Sequence, residues 1–172
     1  MSTLSLKRFL SFSLVATGLL FLCNPNLSIV DVMPDAVGYF LLAAGLVGIA
    51  DVNPYFAEAR RRFLILAWIS IAKMLSIGLL VYVLSVNAEQ RAMVSVFSLG
   101  FAVVEAIFVF PAISAFLNGF SYVGERDGVL SVLPPLKALT TYSYVFLILK
   151  HLGSFLPEMV LISVAHLDTF GD

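Results

Sequence analysis

Lys73, Glu105 and Lys150 each fall within a long apolar run. An ionisable side chain in hydrocarbon costs about 2.5–3.5 kcal/mol on insertion scales, so each of these needs an opposite charge, water or a chemical task. Counted along helices, Lys73 lies ten residues past Phe63 and Glu105 twelve residues before Leu117, about 15 and 18 Å from the same side. Matched depth on two helices joined by a short connection makes an ion pair easy. Ser70, Lys73 and Ser76 share one helix stripe, and Ser95, Ser98, Ala102, Glu105 and Ala112 share another. Small and hydroxylated residues line helix contacts in membranes. Two chemistries follow. The pair neutralises itself and glues two helices, or it serves a substrate or proton step inside a polar cavity lined by Ser70, Ser76, Ser98 and Lys150. Lys150 lies fifteen residues past Pro135, about 22 Å along its helix. That places it near the outer interface, where snorkelling also accounts for it.

Asp31 and Asp35 follow Asn24, Asn26 and Ser28 in an oxygen-rich segment. Such a segment suits a hard cation or a lipid headgroup, and its two carboxylates suit acid and base work on that headgroup. Asp35 equally suits a helix start, where a carboxylate faces the positive end of the dipole. Arg60, Arg61 and Arg62, beside Tyr55 and Phe56, suit anionic headgroups at about 1 kcal/mol per charge, or simply set topology. The chain has one cysteine, Cys23, and two histidines. It lacks HExxH, GxSxG, CxxC and any glycine-rich phosphate loop. No catalytic residue, metal centre or cofactor is therefore assigned, and the expectation is a protein that is not an enzyme.

The elements that position these residues follow from composition. Of 172 residues 60% are apolar and 12% charged, with a mean hydropathy of +1.02; an average soluble domain is about 25% charged. So little charge cannot cover a water-facing surface, and a net charge of -1 provides no footprint for nucleic acid. The expected fold is an all-α polytopic transmembrane bundle of about five spans, one domain, at 6–23, 34–50, 63–86, 92–117 and 135–155. The tail 156–172 is expected as an interfacial helix or loop, and 118–133 as the longest loop. The first run resembles a signal peptide, but no small-x-small cleavage site follows, so it is read as a retained span. Asn53-Pro54 reads as an N-cap and first helical residue. Gly38, Gly45 and Gly48 share a face, and Ala44 with Gly48 forms a small-xxx-small pair, which predicts close helix packing. With the amino terminus inside, Lys7, Arg8, Arg60, Arg61, Arg62, Arg126 and Lys137 face the cytoplasm against Arg91 outside.

Asn24-Pro25-Asn26, the stretch Asp31-Val32-Met33-Pro34-Asp35-Ala36-Val37-Gly38-Tyr39, the later Gly124-Glu125-Arg126 and the Leu156-Pro157-Glu158 turn resemble those of small multi-pass membrane proteins of Gram-positive bacteria. The resemblance implies a bacterial cytoplasmic membrane and carries no biochemistry. Asn24-Pro25 and Asn53-Pro54 lack the alanine of the aquaporin repeat and fall on opposite sides, so that likeness fails. Three functions are expected in order: a non-enzymatic membrane subunit or accessory protein, a small transporter or channel component using Lys73 and Glu105, and a lipid-acting enzyme using Asp31 and Asp35. The partners expected are the lipid bilayer and other membrane subunits or copies of this chain.

Overall fold

The computed structural model describes residues 3–22, 35–83, 88–129, 131 and 133–168. Among these residues it is all-α, with five helices and no strand: α1 (Thr3–Leu22), α2 (Asp35–Leu46), α3 (Pro54–Val83), α4 (Ala88–Arg126) and α5 (Leu133–Asp168). Each helix packs on the next in chain order, α1 on α2, α2 on α3, α3 on α4 and α4 on α5.

Two helices are long and apolar enough to cross a membrane, Pro54–Leu80 within α3 and Val96–Arg126 within α4; Ser11–Leu22 and Asp35–Leu46 are apolar but shorter. The helices differ in length from the expected spans. α2 has 12 residues, about 18 Å, short of a hydrocarbon core of about 30 Å. Beyond Leu46 the chain tightens into turns, with Val47, Ile49 and Val52 each donating to a carbonyl three residues back. α3 starts at Pro54, the first helical residue expected from Asn53-Pro54 and nine residues before the expected span, with Asn53 as its cap: the Asn53 Oδ1 accepts the Phe56 amide at 3.0 Å. α4 absorbs the first part of the expected loop, since Phe116, Leu117 and Gly119 are still buried. Phe56 packs edge-on against Phe120 at 5.1 Å and tilted against Phe116 at 6.5 Å. α4 ends where Gly128 adopts φ 72°, with Val129 N donating to Gly124 O and Gly128 N to Glu125 O. That is the Schellman pattern, and the left-handed residue at its turn favours glycine. α5 runs through Pro157 to Asp168 instead of stopping at 155, because the apolar, helix-forming run resumes after the proline.

The core follows a stripe on α3, Phe56, Ala59, Phe63, Leu66, Ala67 and Ser70, all buried at helical spacing. It meets Leu42 and Leu46 of α2 and Val109, Ala112 and Phe116 of α4 in one apolar cluster. Close packing falls between α1 and α2. A Cβ on Gly18 would lie 2.8 Å from the Gly38 carbonyl oxygen, and one on Gly45 would lie 2.8 Å from the Ser11 carbonyl oxygen and 2.7 Å from Val15. Ala44 and Gly48, expected as the small pair, are exposed instead. The stripe that faces the neighbour is Gly38 and Gly45, seven residues apart, and the partner's own glycine completes it.

Gly45→Ala should therefore lower stability by about 1–3 kcal/mol, because the nearest obstacle includes backbone. Gly78→Ala, with open space around it, should be neutral or stabilising by up to about 1 kcal/mol. Thermal or denaturant unfolding of the purified protein in detergent compares the two.

Candidate functional site

Four ionisable side chains, Lys150, Asp35, Glu105 and Lys73, form two ion pairs that α2 links through Tyr39. Lys150 of α5 donates from Nζ to Asp35 Oδ1 and Oδ2 at 3.0 and 3.3 Å and to the Leu22 carbonyl at 3.1 Å. One turn along α2 from Asp35, Tyr39 donates its hydroxyl to Glu105 Oε1 of α4 at 2.7 Å. Glu105 Oε2 in turn faces Lys73 Nζ of α3 at 3.8 Å. Two cations and two carboxylates thus touch all five helices. These side chains reach across gaps that backbone contacts do not close among the described residues, α5 to α2, α5 to α1, and α2 to α4.

The two ion pairs are built differently. In the Lys150–Asp35 pair both side chains are nearly fully buried, 10% and 5% exposed, and the ammonium is hydrogen-bonded. In the other, Glu105 is 6% exposed while Lys73 is 21% exposed and stands beyond hydrogen-bond distance. Among the described residues the Tyr39 hydroxyl, on Oε1, is the one hydrogen-bond donor to Glu105, and Oε2 receives none. The Tyr39 ring is fixed for this role by stacking on Phe63 at 6.4 Å.

Lys73 and Glu105 are brought together. Ser70 and Ser98 are buried and Ser76 is half-buried. Lys150, expected to snorkel or to form a third wall of that cavity, is held by Asp35 and Leu22 instead. The reason is level along the helices: Lys150, midway along α5, lies beside the first residue of α2. Asp35 does begin its helix as expected, but its carboxylate is an ion-pair partner as well as a helix-start residue. Asp31 and the rest of the expected outer loop lie outside the described residues. Among the described residues no three His, Cys, Asp or Glu side chains come together as metal ligands. Thr140, on the Lys150 face and half-buried, donates to its own helix at Leu136 O, as hydroxyls within helices do when they lack another acceptor.

Around the α2–α3 turn, Asn53 couples helix ends, donating from Nδ2 to the Gly119 carbonyl of α4 at 3.0 Å while capping α3. Arg61 and Arg62, expected at headgroups with Arg60, both bind Glu58, at 2.9 and 2.7 Å. Exposed pairs of this kind stabilise by about 1 kcal/mol or less, so they leave the guanidiniums available to other anions. At the end of α4 the Arg126 guanidinium, hydrogen-bonded to Asp127 at 2.8 Å, holds that exposed carboxyl below the usual aspartate range.

Tyr39 is the residue sequence reasoning missed. Its signal was a phenol one turn after Asp35 in an otherwise apolar helix, since a buried tyrosine hydroxyl usually finds a partner. No protein-family model, curated protein or solved structure matches the chain.

Removing one member of a buried pair strands the other charge and costs about 3–5 kcal/mol, whereas removing both is far milder. Lys150→Met and Asp35→Asn should each destabilise strongly, with the double variant nearer the parent and a coupling above about 1 kcal/mol. The same cycle on Lys73→Met and Glu105→Gln should give a smaller coupling, because that pair is longer and more exposed. Tyr39→Phe should cost about 1.5–3 kcal/mol through loss of a hydrogen bond to a charged acceptor. Unfolding in detergent measures all three.

Proposed function

We propose that this chain is a multi-pass integral protein of a bacterial cytoplasmic membrane, with its amino terminus inside, serving as a non-enzymatic subunit or accessory protein. Its intramembrane charges hold helices together. The observation that carries the reading is the closed charge balance: Lys150 with Asp35 and Lys73 with Glu105, bridged through α2 by Tyr39. A group already neutralised by its neighbour stays compatible with hydrocarbon and is occupied in doing so.

Support for the membrane itself comes from the two long apolar helices. Only 22% of the apolar window in α3 and 33% of that in α4 is buried within the protein, whereas the core helix of a water-soluble protein is mostly covered. Trp68, Leu75 and Leu79 of α3 and Ile107 of α4 are each more than 60% exposed, an arrangement that lipid tolerates and water does not. On this reading α1, α2 and α5 are membrane-embedded as well, with α2 and its following turns forming a short span.

A second reading, a transporter or channel component, is favoured by one feature: the Lys73–Glu105 contact is loose and Lys73 is partly exposed. The third, headgroup chemistry by Asp31 and Asp35, is weakened because Asp35 is occupied by Lys150.

Two measurements test the proposal. Single cysteines placed at residues 60 and 125 in a Cys23→Ser background should be protected from an impermeant thiol reagent in intact cells and labelled after lysis. Labelling in intact cells would reverse the orientation. In proteoliposomes carrying a proton gradient, the parent and Glu105→Gln should dissipate it at the same slow rate as empty vesicles; a flux abolished by Glu105→Gln would establish the transport reading instead.

A further inference from the structure

α3 carries three consecutive arginines, Arg60, Arg61 and Arg62, and a single carboxylate, Glu58. One carboxylate neutralises one guanidinium. Glu58 is shared by Arg62, whose side chain is 33% exposed, and Arg61, whose side chain is 72% exposed. Arg60 is exposed and has no hydrogen bond or ion pair with any described residue. Two positive charges on α3 therefore stand without a counter-charge in their own helix. The end of α4 differs, because Arg126 is paired with Asp127 there and Glu125 precedes it.

What meets these charges follows from the helix face they stand on. Arg61, Ile65, Trp68, Ala72, Leu75 and Leu79 recur at spacings of three and four and all are exposed, so Arg61 is the foot of an apolar stripe and Arg60 flanks it. From Ile65 to Leu75 is ten residues, about 15 Å, half of a hydrocarbon core about 30 Å thick. Unneutralised guanidiniums below an apolar strip of leaflet depth complement one kind of molecule, a lipid with a net negative phosphate head. A soluble anion would use the arginines and leave the strip bare. A zwitterionic lipid would bring its own cation to the arginines. Arginine and phosphate form charge-assisted, often bidentate hydrogen bonds.

We propose that the start of α3 is a site selective for anionic phospholipid, with the phosphate at Arg60 and Arg61 and an acyl chain along Ile65, Trp68 and Leu75. The proposal rests on the membrane reading above, and its test separates the two. Trp68 is the sole tryptophan and lies seven residues, about 10 Å, from Arg61 on the same stripe. It is 63% exposed, with one edge held by Phe40 at 5.9 Å, so the unaltered protein carries its own reporter. The protein is reconstituted in vesicles of equal parts phosphatidylcholine and phosphatidylglycerol, and only one of the two lipids is brominated on its acyl chains. Quenching of Trp68 should be stronger when phosphatidylglycerol is the brominated lipid, with a relative binding constant of about five over phosphatidylcholine, equivalent to about 1 kcal/mol. That ratio should fall to about one in Arg60→Gln/Arg61→Gln. It should fall likewise for the unaltered protein when salt is raised from about 0.1 to 1 M, which shortens the screening length from about 10 to 3 Å.

Equal quenching by the two lipids in the unaltered protein would overturn the proposal and leave the arginines as topology signals alone. A preference that survives either the substitutions or the salt would also overturn it, since the selectivity would then lie elsewhere. Absence of quenching by both brominated lipids would instead refute the membrane reading, because Trp68 would not face hydrocarbon at all.

Discussion

A carboxylate buried among apolar helices must meet a cation, and a cation buried there must meet a carboxylate; the arrangement of this protein turns on that requirement. Asp35 opens α2 and Glu105 lies within α4, and the helices are placed so that Lys150 reaches the first and Lys73 the second. Moving α2, α3, α4 or α5 out of register would leave a charge uncompensated, at a cost larger than most single packing contacts. Apolar burial is indifferent to small rotations between helices. Paired charges are not, so here they specify which face of each helix turns inward.

α2 is the hub of this arrangement although it is the shortest helix. Its Asp35 and Tyr39 point polar atoms toward α5 and α4, while Gly38 and Gly45 admit the backbone of α1. Polar reach and glycine contact are complementary. The glycines bring α1 close enough for the Leu22 carbonyl to take a hydrogen bond from Lys150, and carbonyls at a helix end are the ones that lack an intrahelical donor. On the other side, Leu42 and Leu46 enter the core built on Phe63 and Leu66. At the opposite end of the bundle Asn53 plays a comparable part, capping α3 and tying it to α4 with a single amide.

The two ion pairs divide the labour of stability and accessibility. The Lys150–Asp35 pair is short, fully hydrogen-bonded and enclosed, which suits a fixed joint. The Lys73–Glu105 pair is longer, and its strongest contact is the tyrosine hydroxyl on the far oxygen. A joint of the second kind opens with less loss, because Glu105 keeps one donor when the lysine moves away. That difference separates the structural role from any transport role more sharply than the identity of the residues does.

Much of this was legible in the sequence, and the rest was not for definite physical reasons. Composition determined the all-helical, apolar character, and the count of residues from the ends of the apolar runs put Lys73 and Glu105 at matching depth. Asn53 before Pro54 announced its cap, since both act within one turn of chain. Depth and local capping are one-dimensional properties, and a sequence states them directly. Other helix ends were read less well: hydropathy marks where apolar residues stop, whereas α4 continues past Leu117 into a polar segment where Phe120 packs on Phe56. The pairing of Lys150 with Asp35, the choice of Gly38 and Gly45 over Ala44 and Gly48, and the bond from Tyr39 to Glu105 were decided only by the tertiary structure. Each depends on how a helix is rotated toward neighbours far away in sequence, and that rotation is the joint solution of all the buried charges and close contacts at once.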